Sequence, residues 1–415
     1  MADLAVEIYG TRIGSLVGKD WRTFDFTTDP DAFNTFQLGS TVMSESTPLS
    51  SAATRNRADR RRNFFTELLP EGDMLDALAT EVGKGTSTAD VITLLTHFGR
   101  DVAGALQIFD PEGPGEPRTP QLAPVTEQQV GELLRNVKRS PIGNRPIGGK
   151  SSLAGVQDKI VLARTGAQWN QVLDGYPSTH IIKSVPDNHP TVIYDEEYGS
   201  RFARNLGLLS YDTGIEEFDG TPGLVIERYD RDPSAPDQRI HQEDVGQALG
   251  VSRREKYQEH GGRVSLARVA TIFSDYGDTA SLRKLLELTT LSMAVGNLDL
   301  HAKNISILHF ADETMKIAPA YDVVPQTHGD NDGRMAMAIN RKYDPRQITV
   351  DDLESEARAW GVRDADVIIE AALENILETA ESNFPDARSY SNLRDDILRF
   401  TTNLREGRGA GVPSE

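Results

Sequence analysis

The chain has 415 residues, and its 44 Lys and Arg residues against 63 Asp and Glu residues give a formal net charge of −19. The length allows about two or three domains, and a chain with a pI near 4.9 is not expected to coat nucleic acid by bulk charge. The absence of cysteine excludes disulfides, thiolate zinc sites and thiol nucleophiles. We expect a cytoplasmic protein, because no signal peptide or membrane-spanning run is visible.

Strand-like segments open the chain. Ala5–Tyr9 and Arg12–Val17 flank a Gly-Thr pair, which predicts two strands joined by a tight turn. Apolar residues at helical spacing predict helical structure over Phe64–Val82 and a short helix over Val91–Phe98. Asp110–Pro124 is dense in proline and glycine, which disfavours helix and central strand alike and predicts a domain boundary.

Beyond this boundary, strand patterns alternate with a helix. Strands are predicted at Lys159–Ala163, Thr179–Val185 and Leu224–Tyr229, and a helix is predicted near Glu196–Leu206. Helical periodicity dominates from Glu243 onward.

A hairpin-like insertion interrupts this helical region. It consists of Ile305–Phe310, a turn, and Met315–Ala318. A small sheet-containing lobe followed by a larger helical lobe predicts a two-lobed plan with a cleft, and ligands tend to bind in such clefts.

The most informative stretch, Gly296–Asn304, follows a long amphipathic helix and begins at a glycine suited to a helix C-terminus. Four residues separate Asp299 from Asn304, and Asp322 follows the hairpin. Phosphoryl transfer needs a carboxylate that deprotonates a hydroxyl and oxygen ligands that hold Mg²⁺ on the phosphates. The order is the one that protein kinases use, and it predicts Asp299 as the base and Asn304 and Asp322 as Mg²⁺ ligands. His301 and Lys303 lie in the same loop. They are expected either to stabilise charge on the γ-phosphate or to support the loop.

A lysine at the end of an apolar strand adds to this pattern. Lys183 is placed to contact the α- and β-phosphates of a nucleotide, and Glu196 and Glu197 open the next predicted helix, where one of them can pair with the ammonium. We predict Glu197 as the partner, because it lies one turn before Arg201 and next to the apolar face of the helix.

The glycine-rich segment Gly148–Gln157 departs from the Walker A pattern. Gly143 is one residue out of register, and a strand follows the segment where the motif requires a helix N-terminus. We therefore interpret the segment as a flexible flap over nucleotide phosphates, with backbone amides as donors.

Several segments, taken in chain order, resemble one known family. They are Phe64–Gly72, Gly99–Ala105, Ser152–Lys159, Thr179–Lys183, Glu227–Arg231, His241–Asp244, Asp299–Asn304 and Tyr321-Asp322. Their ordered combination resembles the HipA family, the kinase toxins of bacterial toxin–antitoxin pairs. In this resemblance Ser152–Lys159 corresponds to the phosphate loop, Thr179–Lys183 to the lysine strand and Glu227–Tyr229 to the hinge, while His241–Asp244 is structural.

The resemblance implies an α+β, protein-kinase-like two-lobed fold. An N-terminal mixed α/β subdomain would cover residues 1–110, a small lobe with phosphate loop and hinge 120–235, and a mostly helical large lobe with the catalytic loop 236–408. It also implies a serine/threonine protein kinase that uses ATP and Mg²⁺. The implied ATP-binding residues are Ala154, Gly155, Val156, Gln157, Lys159, Lys183, Glu227, Arg228, Tyr229, His301, Lys303, Asn304 and Asp322.

The family also phosphorylates the serine that opens its own phosphate loop, which silences the enzyme. That serine corresponds to Ser152, with the neighbouring Ser151 as the alternative. A phosphate there adds about −1.5 to −2 charge where the phosphates of ATP must lie.

The resemblance implies partners as well. They are a helix-turn-helix antitoxin similar to HipB, operator DNA reached only through that antitoxin, and a protein substrate of the aminoacyl-tRNA synthetase class. Two other classes stay open, a non-catalytic nucleotide-binding corepressor and a small-molecule kinase. The intact Asp299, Asn304, Asp322 and Lys183 argue against the corepressor, and a small-molecule kinase leaves the matches in the first domain unexplained.

One basic cluster departs from the acidic average. Five arginines lie between Arg55 and Arg62. We interpret them as a solvated helix face in preference to a contact with DNA phosphates.

Overall fold

The structure is a computed structural model that describes residues 3–18, 23–52, 57–83, 85–137, 142, 151–153, 157–255, 257–258 and 261–413. These residues form three antiparallel sheets with helices packed around them. None of the helices in this part of the chain is both long enough and apolar enough to cross a membrane.

The first structural unit packs helices against a four-stranded sheet. Its elements are β1 (Leu4–Ile8), β2 (Thr11–Val17), β3 (Asp25–Thr28), α1 (Ala58–Thr66), α2 (Gly72–Val82), α3 (Val91–Phe98) and β4 (Gln107–Phe109). The strand order is β3-β2-β1-β4, and the pairing of β1 with β2 confirms the predicted hairpin. The helical stretch predicted over Phe64–Val82 is divided into α1 and α2, because Pro70 lacks an amide proton and disfavours helix in the residue before it.

A six-stranded sheet forms the small lobe. Its elements are β5 (Gln121–Val125), α4 (Glu127–Arg135), β6 (Lys159–Thr165), β7 (Gln168–Leu173), β8 (His180–Ser184), α5 (Val192–Asn205), β9 (Thr213–Phe218) and β10 (Thr221–Glu227). The strand order is β5-β7-β6-β8-β10-β9, so β8 lies inside the sheet between β6 and β10. The proline-rich segment enters the sheet only as the edge strand β5, where Pro124 is tolerated because an edge strand leaves one row of backbone groups unpaired.

The large lobe is mostly helical, as its periodicity predicts. Its elements are β11 (His241–Asp244), α6 (Val245–Ala248), α7 (Leu266–Asp275), α8 (Thr279–Val295), β12 (Ser306–His309), β13 (Met315–Ile317), α9 (Val350–Ala359), α10 (Ala365–Ser382) and α11 (Leu393–Arg405). The predicted hairpin is β12 paired with β13, and β11 completes a small sheet beside β12. The Asp244 side chain accepts the Gln247 amide at 2.9 Å and caps α6, as expected for a structural segment.

The helix α8 leads directly into the predicted catalytic loop. Asp278 caps its N-terminus by accepting the Ser281 amide at 3.0 Å, and its last residue is Val295. Gly296 follows with φ of +73°, in the left-handed region that glycine adopts without a Cβ penalty. The chain therefore turns out of a largely buried helix directly into the segment that contains Asp299 and Asn304.

Two members of the arginine cluster, Arg61 and Arg62, bind other residues of the first unit. Arg61 donates to both carboxylate oxygens of Asp25, at 2.5 and 2.8 Å, and Arg62 donates to the Phe24 carbonyl at 2.8 Å. The interpretation as a solvated face is therefore wrong for Arg61, which is buried because it pairs with a strand residue. Arg55 lies outside the described residues.

The helix α5 lies very close to the segment that follows Asp322. A Cβ added at Gly199 would overlap the carbonyl oxygen of Val323, and Val323 is itself buried. The absence of a side chain at Gly199 thus allows α5 and the residue after Asp322 to approach each other.

We predict that Gly199→Ala lowers the free energy of unfolding by about 1–3 kcal/mol, because the added methyl group forces the two segments apart. The measurement is urea denaturation followed by circular dichroism. Gly214→Ala in β9 is the control, since no described atom lies within 4 Å of its added Cβ. A Gly199→Ala protein as stable as the wild type would contradict this packing.

Candidate active site

A cavity of about 440 Å³ lies where the first unit, the small lobe and the large lobe meet. Its lining includes most of the residues that the sequence singled out: Gln157, Lys159, Lys183, Glu227, Arg228, Tyr229, Asp299, His301, Lys303, Asn304 and Asp322. Three predicted ATP-binding residues lie outside the described part of the chain: Ala154, Gly155 and Val156.

Two lysines lie side by side on the cavity wall. The pairing of β6 with β8 sets Lys159 opposite Lys183. Like charges directly across a sheet are unfavourable, and burial lowers the pKa of Lys159 to about 8, with Asp322 acting in the opposite direction. This arrangement concentrates positive charge at one wall of a cavity, which suits an anionic ligand.

The ammonium of Lys183 joins elements from both lobes. It donates to Oε1 of Glu196 on α5 at 2.7 Å, and it forms an ion pair with Oδ1 of Asp322 in the large lobe. Burial disfavours the charged form of Lys183, but the carboxylates of Asp322 and Glu196 outweigh burial and raise its pKa above the ordinary value. Burial raises the pKa of Glu196 to about 7, while Lys183 acts to lower it. Burial would also raise the pKa of Asp322, but Lys183, together with Lys159 and His301, keeps that pKa below the ordinary value.

The prediction of Glu197 as the partner of Lys183 is wrong. Glu197 instead forms an ion pair with Arg201, at 2.7 Å and one helical turn away. The proximity of Arg201, which favoured Glu197 in the sequence, is the physical reason that its carboxylate is engaged elsewhere. Glu196 faces the sheet because it lies two turns before the buried Ala203 on the same face of α5.

The backbone of Asp322 has an unusual conformation. Its φ is +50°, in a region that residues other than glycine seldom occupy. Its carbonyl accepts the Val324 amide at 3.1 Å. Such conformations persist where the surrounding structure holds them, and here the side chain lines the cavity beside Lys183.

The loop after α8 places Asp299 and Asn304 together. The Asn304 side-chain amide donates to the Asp299 carbonyl at 2.8 Å, which fixes Nδ2 and leaves the amide oxygen as an acceptor. The Asp299 carboxylate is about one third exposed in the cavity, and its Oδ2 lies 3.9 Å from Nε2 of His301. The hydroxyl of Tyr257, which the sequence analysis missed, donates to Oδ1 of Asp299 at 3.2 Å.

Lys303 points toward the first unit. Its ammonium lies 2.5 Å from Oε2 of Glu67, 3.2 Å from Asp244 and 3.7 Å from Glu71. Burial acts to lower the pKa of Lys303, and the carboxylates of Asp244 and Glu67 raise it above the ordinary value. These contacts support the loop, which is one of the two roles expected for Lys303.

The two candidate phosphorylation sites are buried. The Ser152 hydroxyl donates to the Leu68 carbonyl at 3.1 Å, and its amide donates to the Asp101 carbonyl at 2.9 Å. The Ser151 hydroxyl donates to Oδ2 of Asp101 at 2.9 Å. Neither hydroxyl is accessible in this arrangement, so phosphorylation of either requires the segment to leave its place.

The side chain of Arg228, in the predicted hinge, is held by the protein. It donates to both carboxylate oxygens of Asp230, to the Ser178 hydroxyl and to the Val102 carbonyl. Arg228 is buried, so its ion pair with Asp230 is shielded from solvent. The contact with Val102 also ties the hinge to the first unit.

The donor atoms at the base of the cavity suit Mg²⁺. Mg²⁺ prefers oxygen ligands and is commonly bound by one or two carboxylates together with substrate phosphates. Asp322 offers a carboxylate and Asn304 an amide oxygen, and both line the cavity. Among the described residues, no group of three or more Asp, Glu or His side chains forms a metal cluster of its own.

These features define the class of the protein. A sheet-containing lobe carries a lysine paired with a helix carboxylate, and a helical lobe supplies an aspartate, an asparagine and a second aspartate after a hairpin. The class is an α+β, kinase-like protein with two lobes and an additional N-terminal unit.

Comparisons with known proteins agree with this class. Residues 151–384 match the HipA-like C-terminal domain, and residues 4–109 match the HipA N-terminal domain. The chain is 33% identical over 350 residues to Y4mE of Sinorhizobium fredii, covering 80% of this chain and 79% of that protein. It is 29% identical over 344 residues to the serine/threonine-protein kinase toxin HipA of Shewanella oneidensis, covering 79% of this chain and 77% of that protein.

A solved structure has the same fold. It is the complex of HipA, HipB and operator DNA from Shewanella oneidensis, with a TM-score of 0.79 and 24% identity, covering 97% of this chain and 98% of that chain. The chain belongs to the HipA family, which confirms the resemblance found in the sequence.

The corrected pairing of Lys183 leads to a prediction. Glu196→Gln should weaken the binding of ATP with Mg²⁺ about tenfold or more, because it replaces the buried carboxyl group that accepts from Lys183 at 2.7 Å and orients it. Isothermal titration calorimetry measures the dissociation constant. Glu197→Gln is the matched control and should change that constant by less than about twofold, since it alters a partly exposed pair with Arg201. A larger effect at Glu197 than at Glu196 would contradict the assignment.

Proposed function

We propose that the chain is an ATP- and Mg²⁺-dependent serine/threonine protein kinase that acts as the toxin of a toxin–antitoxin pair. The observation that carries the proposal is the ion pair of Lys183 with Glu196 and Asp322, in one cavity with Asp299 and Asn304. These are the groups that kinases use to hold the nucleotide phosphates and to activate a hydroxyl.

In the proposed reaction, the acceptor hydroxyl attacks the γ-phosphorus of ATP. Asp299 accepts the proton of that hydroxyl, the new bond forms between the acceptor oxygen and phosphorus, and the bond to the β-γ bridging oxygen breaks to release ADP. Tyr257 donates to Oδ1 of Asp299 and helps to hold this carboxylate at the cavity. Asn304 and Asp322 would hold Mg²⁺, which neutralises charge on the phosphates.

The remaining nucleotide contacts are part of the proposal. Lys183 and Lys159 offer positive charge to the phosphates from adjacent strands. Gln157 and the hinge residues Glu227–Tyr229 lie on the cavity wall and would contact the nucleotide. The predicted contacts of Ala154, Gly155 and Val156 with the nucleotide fall outside the described residues.

We also propose that phosphorylation of Ser152, or alternatively of Ser151, silences the enzyme. A phosphate carries about −1.5 to −2 charge and is too large and too strongly hydrated for the buried position of the hydroxyl. The modified segment would therefore leave its place, and its backbone would no longer meet the phosphates of ATP.

The proposed partner is a helix-turn-helix antitoxin that also brings the complex to operator DNA. The similar HipA from Shewanella oneidensis forms a complex with HipB and operator DNA, which supports this partner. The proposed substrate is a component of translation, of the aminoacyl-tRNA synthetase class, and the proposed location is the cytoplasm.

The experiment is incubation with radiolabelled ATP and Mg²⁺, followed by mapping of the label. We predict label on Ser152 or Ser151 of the wild type and none in Asp299→Ala, because that variant lacks the base. The fold should survive, since Asn304 bonds to the Asp299 backbone carbonyl, which alanine retains. Asp330→Ala, an exposed carboxylate beyond Asp322, is the control and should be labelled like the wild type.

Three outcomes would contradict the proposal. Equal label in the wild type and in Asp299→Ala would exclude Asp299 as the base. No label in either protein, with ATP binding intact and phosphate absent from the starting sample, would favour a non-catalytic corepressor. Transfer to a metabolite without any protein acceptor would favour a small-molecule kinase.

A further inference from the structure

Two adjacent residues of the first unit touch both loops that face the proposed nucleotide. Glu67 and Leu68 directly follow α1. The Glu67 carboxylate lies 2.5 Å from the ammonium of Lys303 in the catalytic loop, and the Leu68 carbonyl accepts the Ser152 hydroxyl at 3.1 Å in the phosphate loop. We call this pair the Glu67–Leu68 clamp.

Glu67 occupies a position that is unfavourable for a carboxylate. It follows the C-terminal end of α1, where the helix dipole disfavours negative charge, and its side chain is only 4% exposed. A buried carboxylate is expensive unless it is paired. Two cations from the large lobe supply the pairing, Lys303 at 2.5 Å and Arg253 at 3.3 Å.

Arg253 holds the backbone on either side of the clamp and also pairs with the Glu67 carboxylate. Its guanidinium donates to the Thr66 carbonyl at 2.6 Å and to the Pro70 carbonyl at 3.4 Å. The segment between Thr66 and Pro70 is thus held on both sides of the clamp. A displacement of Glu67 therefore shifts the Leu68 carbonyl, because the two share a peptide bond in a tightly held turn.

We infer that the Glu67–Leu68 clamp couples the positions of the phosphate loop and the catalytic loop, and that Glu67 is a positioning residue for the kinase reaction. The inference deepens the proposed function and rests on it. The N-terminal unit thereby holds both loops in the arrangement that receives ATP. The Glu67–Leu68 clamp also gives a role to the segment Phe64–Gly72, which is part of the family resemblance but supplies no group to the proposed reaction.

The clamp predicts an effect across the two loops. Loss of the Glu67 charge should loosen the phosphate loop, although Glu67 itself bonds the catalytic loop. A purely local role for Glu67 would alter the catalytic loop alone. The buried amides of Ser152 and Asn304 report on the two loops, since each donates a backbone hydrogen bond.

The test compares Glu67→Gln with Asp59→Asn in the full chain. Glutamine keeps the shape and removes the charge, while Asp59 lies on the same helix with its side chain 92% exposed. Amide hydrogen exchange followed by mass spectrometry gives the protection of both loops without nucleotide. Isothermal titration calorimetry with Mg²⁺ and a non-hydrolysable ATP analogue gives the affinity.

We expect Glu67→Gln to accelerate exchange in both loops and to weaken binding of the analogue about tenfold, and we expect Asp59→Asn to change neither. Lys303→Gln tests the same contact from the other side and should also accelerate exchange at Ser152. It remains informative if Glu67→Gln does not fold.

Unchanged exchange at Ser152 in a folded Glu67→Gln or Lys303→Gln protein would overturn the clamp. Failure of the wild type to bind the analogue would instead contradict the proposed function. In that case the exchange data would still test whether the clamp couples the two loops, because the exchange measurement requires no nucleotide.

Discussion

The candidate site depends on one ion-pair network, in which the buried ammonium of Lys183 pairs with Glu196 and Asp322. Its three members come from β8, from α5 and from the segment after β13. A buried ammonium is stable only with such partners, because burial alone disfavours its charge. The ion pair therefore requires that the strand, the helix and the large-lobe segment meet at one point. The absence of a side chain at Gly199, which lets α5 approach Val323, serves the same requirement.

The N-terminal unit takes part in this site and is not merely attached to it. Glu67 and Glu71 line the same cavity as Lys183 and Asp322, although they belong to a different sheet-and-helix unit. Asp101 of this unit binds Ser151 and also forms an ion pair with Arg231 beyond the hinge at 3.0 Å. Charged groups that are buried at this junction are costly unless all of them are paired. The junction thus links the phosphate loop, the hinge and the catalytic loop through one set of contacts.

The sequence alone predicted the parts of the site that depend on local spacing. The order of Asp299, Asn304 and Asp322 around a hairpin placed three groups in one cavity, because a glycine-capped helix and a hairpin are local structures. The choice of Glu197 over Glu196 failed, since which of two adjacent carboxylates faces the sheet depends on the rotation of α5. The contact between Glu67 and Lys303 could not be predicted, because it joins residues far apart in the chain. The helical stretch predicted over Phe64–Val82 also gave no sign that a helix ends beside Glu67.

We propose that this cavity binds ATP with Mg²⁺ through Lys183, Asn304 and Asp322. A crystal structure of the chain with Mg²⁺ and a non-hydrolysable ATP analogue tests this proposal. We expect the phosphates to lie against Lys183, with Glu196 still paired to it, and a metal ion to have the oxygens of Asn304 and Asp322 among its ligands. A nucleotide bound outside the cavity, or a metal ion held by other residues, would contradict it.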